Sequence, residues 1–530
     1  MVQPFAPVDR VGRWWAPLLA ATGLLVSLPA GGRAQTPKGA PPAPAAKAAA
    51  PKAAADTKKG APAAKAAPAA KAAAPAAKGA DAEAEAPAAD APRPKQAELE
   101  ERYEDPRAQA ALTADFPALF PNVRRIDNDA DKRVAAMAEG SANADPAFLQ
   151  TYVQYQLGQL TAKPNVAAIL DPAGNPQAAK AVETAGANLL NPLLIAAQGN
   201  NAAFRGTYTR MLVGVANDAL KNNLYARTMV MVALSRSRDP QAFRVFRQVL
   251  DDPQQPLTLK ILAAVGVTQA ADEGRAGVDP GEAVQLGRSL AGFLEREPEA
   301  FWPARYRAVE AMGALRQASA NLNEPKATLA ATLLGVLADP NARPAVRARA
   351  AWALGMLRPN VQNPRYNFEL IAHHAGRAAA DIGDVIVAEG TANPVLSTRM
   401  ADHLLVLLSG IEGDPQIRNA GLLRVDHPNL ASQRAAVQGV DERVKEVART
   451  AVELSRSAGV QRAQRTAEVA AAVQALRAHL AKAPPADLAL FPGGPTFPPA
   501  PAGGGAASSD AAPAAAPAPA GTAAAAPASR

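Results

Sequence analysis

The sequence predicts an all-α fold in which antiparallel helix pairs follow one another along the chain. Three observations lead there. Between residues 96 and 483 apolar residues recur at three- and four-residue spacing, the period of an amphipathic helix. Strand-like alternation is essentially absent, and Asp-Pro, Asn-Pro and Gly-containing turns break the helical segments at short intervals. One fourteen-residue pattern also returns 42 residues further on, with looser copies upstream at other spacings.

Segments 204–222, 281–297 and 325–339 are amphipathic, and each is followed within a few residues by a second helical segment. The second segments carry the repeat. WPARYRAVEAMGAL at 302–315 lies 42 residues before PAVRARAAWALGML at 344–357. In that register Arg305 falls on Arg347, Arg307 on Arg349, and Ala311-Met312-Gly313 on Ala353-Leu354-Gly355. Glu297-Pro298 likewise matches Asp339-Pro340. An earlier copy runs 224–237 with Arg227, and a looser one 257–267 with Lys260. Two antiparallel helices cannot bury an apolar face alone, so each pair must stack on the next, and Gly313 and Gly355 would let neighbours approach closely.

This pattern resembles HEAT-repeat proteins, well over 204–358, partially over 96–203 and poorly after 359. The resemblance implies an α-solenoid of HEAT-like antiparallel helix pairs. It also implies a hydrogen-bonding ladder of acids and bases between adjacent repeats. Here a turn acid recurs eight residues before a base, as Asp252/Lys260, Glu297/Arg305 and Asp339/Arg347. The expected layout is helical repeats over 96–358 and a C-terminal helical region over 359–483. The latter ends in two longer, more polar helices, 435–458 and 460–482, suited to cap an exposed end.

The ends read differently. Residues 1–35 look like an export signal: Arg10 and Arg13 precede an apolar stretch from Trp14 to Ala30, and Gly32-Arg33-Ala34 offers a cleavage site before Gln35. An uncleaved N-terminal anchor is the alternative. Residues 36–95 are a low-complexity Ala/Pro/Lys linker, and 484–530 a Pro/Ala/Gly tail; both are expected to be disordered arms. The formal charge is +8, but the linker alone holds nine Lys and one Arg against five acids, leaving the helical region close to neutral. That removes the usual electrostatic argument for duplex binding by the helical region. The chain has no cysteine, which excludes disulfides, a lipidated cysteine and thiolate metal sites.

A search for chemistry returns little. Asp127-Asn128-Asp129-Ala130-Asp131 starts like a calcium loop, but Lys132 and Ala138 stand where glycine and glutamate belong, so it reads as an acidic helix start. His373 and His374 are adjacent on a predicted helix and diverge by about 100°. There is no His-Glu-x-x-His, Gly-x-Ser-x-Gly or phosphate-loop motif, and no cofactor is expected. Trp302 and Trp352 read as core residues or binding anchors. Arg227, Arg305, Arg307, Arg347 and Arg349 recur along successive second helices, where those not used by a ladder could line one face for an extended acidic peptide. The expectation is therefore a non-catalytic scaffold exported to the periplasm or another extracytoplasmic space. The alternatives are an anionic-polymer or nucleic-acid binder acting through 36–95, and a lyase-type enzyme on a HEAT-like scaffold.

Overall fold

The computed structural model describes residues 105–498, apart from 274–277, 324–325, 362–364, 414–416 and 418. The signal-like segment, the linker and the tail beyond 498 lie outside the described residues. Those described all fall in one of the two units into which the chain divides, and every contact below is internal to that unit.

Among the described residues the fold is all-helical, with isolated β-bridges and no strand. Five helices come first: α1 (Pro106–Thr113), α2 (Ala130–Glu139), α3 (Pro146–Thr161), α4 (Lys163–Leu170) and α5 (Pro176–Gln198). Then come α6 (Ala202–Ala219), α7 (Leu224–Ser237), α8 (Phe243–Asp251), α9 (Leu257–Glu273), α10 (Pro280–Arg296) and α11 (Trp302–Leu315). After these follow α12 (Thr328–Ala338), α13 (Pro344–Met356), α14 (Phe368–Glu389), α15 (Pro394–Glu412), α16 (Leu430–Ser455) and α17 (Val460–Lys482).

The Asp-Pro and Asn-Pro turns explain many of the starts. Asp105, Asp145, Asn175, Asp279 and Asn393 each accept a hydrogen bond from a backbone N–H of the first turn, with proline next in sequence. The carboxylate or amide oxygen satisfies an orphan donor, and proline fixes the helical φ where its missing N–H costs nothing.

From α6 onward the helices pair as α6/α7, α8/α9, α10/α11, α12/α13 and α14/α15. First helices pack on first helices, α8 on α10 on α12 on α14, and second helices on second helices, α7 on α9 on α11 on α13 on α15. The fall-off of the sequence pattern after 359 does not end this arrangement. The α14/α15 pair joins both rows, and α13 and α15 meet backbone to backbone. A Cβ on Gly355 would run into the carbonyl of Gly410, and one on Gly410 into the carbonyl of Ala351. Gly313 serves the preceding seam, where a Cβ would lie 2.8 Å from the Trp352 ring and 2.9 Å from the Ala353 Cα.

The N-terminal part is less regular, with α2, α3 and α4 all packed against the long α5, which in turn meets α7. At the other end α16 packs on α14 and α15, while α17 packs on α14 and α16. Val437, Val444, Val447, Ala451 and Leu454 of α16 are buried. On the outer side Arg449 pairs with Glu446 and Glu453, so the polar face of α16 stays in water. Buried Arg462 ties this end together by donating to the Gly390 carbonyl at 2.6 Å and the Ser397 hydroxyl at 3.0 Å.

The tail does not begin at 484 as a disordered arm. Residues 487–497 form a small hairpin in which Ala489 and Thr496 pair antiparallel. Phe491 O accepts from Gly494 N at 2.9 Å around Pro492-Gly493, with Gly493 at φ +73. This is the proline-then-glycine order of a type II turn. Leu490 and Phe491 are buried, and that apolar burial offsets the ordering entropy expected to keep the segment loose.

Gly355→Ala is expected to lower the stability of the chain by about 2–3 kcal/mol through overpacking at the α13/α15 seam. Gly214→Ala, in α6 where an added Cβ meets nothing within 4 Å, should instead raise it by about 0.5–1 kcal/mol. Urea unfolding of the two variants beside the parent measures both.

Candidate functional site

The fourth residue of four successive second helices is a base: Arg227, Lys260, Arg305 and Arg347. Three of the turn acids, Asp252, Glu297 and Asp339, are the C-caps of first helices. Each charge sits at the unfavourable end of its own helix, a cation near the positive N-terminus and an anion at the negative C-terminus. Pairing across the seams explains the placement. Lys260 Nζ lies 2.5 Å from Glu297 Oε1, Arg305 Nη2 4.0 Å from Asp339 Oδ2, and Arg347 Nη1 2.9 Å from Asp381 Oδ2. Arg227 reaches the next pair through Gln255, which accepts at 3.4 Å and itself donates to Asp252 at 3.2 Å. The base therefore pairs with the acid of the following pair, not with the acid eight residues before it.

Two rungs extend beyond the rows. Glu297 also receives Arg107 of α1 through both carboxylate oxygens, at 3.1 and 3.2 Å. Burial alone would raise the Glu297 carboxyl, but hydrogen bonds from Arg107 and Lys260 outweigh it and hold the group below the usual carboxylate range. Asp105 beside Arg107 accepts the backbone N–H of Leu257 at 2.6 Å, so the segment before α1 caps α9. At the far end Asp381 is shared with Arg477 of α17 at 2.9 Å.

A second cluster lies between α11 and α13. The Arg349 guanidinium sits 4.8 Å from the Tyr306 ring centre and 4.7 Å from that of Trp352. Arg349 Nε donates to Tyr306 Oη at 2.9 Å, and Nη2 lies 3.6 Å from Glu310 Oε1. Arg307 meets the same carboxylate at 2.6 Å, and Trp302 sits edge-on to Tyr306. Trp302, Arg307 and Trp352 are half-buried and form the rim of this cluster.

The five arginines expected to line one face are thus divided. Arg347 and Arg349 are buried, with their guanidinium groups engaged inside the protein. Neither can present itself to a partner, because a buried charge must be paired internally. Arg227 and Arg305 are half-buried in the ladder, which leaves Arg307, half-buried against Glu310 and 5.5 Å from the Tyr306 ring centre, as the one of the five on the rim of this cluster. Tyr306 and Glu310 were not singled out in the sequence. Their signal was the four-residue spacing Trp302, Tyr306, Glu310 along one helix face.

The adjacent histidines do part company. Their ring centres are 5.9 Å apart at an interplanar angle of 84°. His374 Nε2 lies 3.2 Å from the Phe497 carbonyl, whereas neither nitrogen of buried His373 has a hydrogen-bond partner among the described residues. Among those residues no group of three or more metal-ligating side chains is placed to hold an ion, and no helix is long and apolar enough to cross a membrane. No family model matches the chain, and neither does any curated protein or solved structure.

Glu297→Gln leaves Lys260 buried without an anion and should cost about 3–5 kcal/mol. Lys260→Met leaves Glu297 still held by Arg107 and should cost much less; denaturant unfolding compares the pair.

A pH dependence follows from three rings. Burial, then Arg377, pushes His373 down to about 4. Burial does the same for His374, to about 4, outweighing the opposing pull of the Phe497 carbonyl. Burial, then Arg349 and Arg399, takes His403 to about 4. Unfolded rings take up protons below about 6.5 while the folded ones resist until about 4, so stability should fall as pH drops through that window. His373→Phe should flatten the fall when urea midpoints are compared between pH 7 and pH 4.5; an unchanged slope would assign the loss elsewhere.

Proposed function

We propose that this chain is a HEAT-like α-solenoid acting as a non-catalytic protein-interaction scaffold outside the cytoplasm. The observation that carries the reading is the ladder, in which the fourth residue of four successive second helices is tied to the following pair. It supports a repeated unit whose stability comes from its neighbours, the energetic design of stacked-repeat proteins. Such proteins present long surfaces and typically bind extended partners along them.

The rim of Trp302, Arg307 and Trp352 is the part of that surface best suited to anchor a partner. Tryptophan and arginine dominate interface energetics, and here the Arg349 guanidinium between two rings holds the neighbouring side chains in place before binding. Two arginines face the single Glu310 carboxylate, so the cluster carries a net positive charge and favours a peptide with an acidic side chain beside an apolar one. The extracytoplasmic location rests on the signal-like segment at 1–35.

Two measurements test this. Small-angle X-ray scattering paired with circular dichroism on residues 96–483 should return an elongated, strongly helical particle. An array of acidic and basic peptides should be read by the wild-type protein in favour of the acidic ones. Arg307→Glu should weaken that binding by about tenfold or more with an unchanged circular dichroism spectrum. A compact particle, or equal binding by the variant, would overturn the assignment.

A further inference from the structure

The cluster around Arg349 continues onto a third helix. Where α13 and α15 meet, a Cβ on Gly410 would lie 2.8 Å from the Trp352 Cα. Further back along both helices, Arg349 bears electrostatically on His403. The two contacts fall in the same order on each helix, so α13 and α15 run parallel, and the Arg349–Trp352 stretch lies against the His403–Gly410 stretch. Val395, Arg399 and His403 follow one another at four-residue spacing and share one face of α15. Val395 is 58% exposed, and Arg399 and His403 are half-buried.

Arg399 is the cation that this neighbourhood leaves unanswered. Glu310 pairs with both Arg307 and Arg349. Arg399 forms no hydrogen bond or ion pair among the described residues, Asp402 three residues on included. His403 makes no hydrogen bond among them either. A half-buried guanidinium has given up water without gaining an anion, an arrangement that an incoming negative group would relieve. We propose that Arg399 and His403 receive the carboxylate of a partner's acidic side chain, with Val395 taking the apolar residue beside it. The proposal rests on the reading of the Trp302, Arg307 and Trp352 rim, and carries that surface from α11 and α13 onto α15. The bound carboxylate accepts hydrogen bonds from the Arg399 guanidinium and from an imidazole N–H of His403. Its charge also opposes Arg349 and Arg399, which together with burial hold that ring down at about 4.

Two fluorescein-labelled peptides test this with the full-length protein, one alternating aspartate with leucine and the other asparagine with leucine, each read by anisotropy. Arg399→Gln should weaken the aspartate peptide by about tenfold and leave the asparagine peptide unchanged, with an unaltered circular dichroism spectrum. Arg399→Lys should restore most of the loss. The second readout is the His403 ring in the otherwise unmodified protein, followed by NMR with isotope-labelled histidine and assigned through His403→Gln. Its pKa should rise by about one unit or more when the aspartate peptide is bound, a response that a merely structural histidine would not give. Aspartate-peptide binding that Arg307→Glu weakens but Arg399→Gln leaves intact, with no shift at His403, would overturn the proposal and keep the rim reading. Equal binding of the two peptides by the parent protein would overturn both.

Discussion

Placing charges at the wrong ends of helices is the constraint on which the rest of this structure depends. A base four residues into a second helix and an acid capping a first helix are each unfavourable in isolation. They are stabilised only when one helix pair lies against the next in register. A slipped or inverted stack would bury Lys260 without Glu297, or Arg347 without Asp381, and an uncompensated buried charge costs several kcal/mol. The ladder therefore specifies the stacking more than it strengthens it. Apolar area supplies the bulk of the stabilisation, and the charged pairs decide which apolar surfaces meet.

The second row also dictates its own composition. A helix with neighbours on both sides and its own partner behind it has almost no exposed face. In α13 eleven of thirteen residues are buried. Such a helix cannot be amphipathic, and its side chains must be small wherever a neighbour comes close. Hence the alanine-rich run of α13, and glycine where backbone meets backbone at Gly355 and Gly410. The aromatic and cationic side chains of α11 and α13 are tolerated because they stack on one another. Arg349 lies between two rings and beside Glu310, so its burial leaves no charge unanswered.

Much of this was legible in the sequence, for physical reasons that also explain what was not. The helices declared themselves through apolar spacing and through Asp-Pro and Asn-Pro starts. The repeated Arg and Ala-Leu-Gly positions pointed to stacking because both are needed at every seam. Partner choice within the ladder was not legible. The resemblance implied a ladder between adjacent repeats without its direction, which the seam geometry sets by pairing Lys260 with Glu297 of the following pair. The sequence showed helices over 365–389 and 394–411 but not that they continue the two rows, because the glycine at 410 arrives after a longer first helix that displaces it from the repeat register. The hairpin was hidden by composition. Its Phe-Pro-Gly-Gly turn between Leu-Ala-Leu and Thr-Phe is a local signal, but it is embedded in a stretch dominated by proline, alanine and glycine.

The ladder has a direction, and direction matters for a chain made from one end. In each rung the base precedes its acid in the sequence: Lys260 before Glu297, Arg305 before Asp339, Arg347 before Asp381. As the polypeptide emerges from the ribosome, the α8/α9, α10/α11 and α12/α13 pairs are each complete before the acid that pairs with their second-helix base has been made. That charge belongs to the pair about to appear. Each of those additions thus meets an oppositely charged edge. At the far end the run of charges closes on Asp381, which Arg477 of the last helix also reaches.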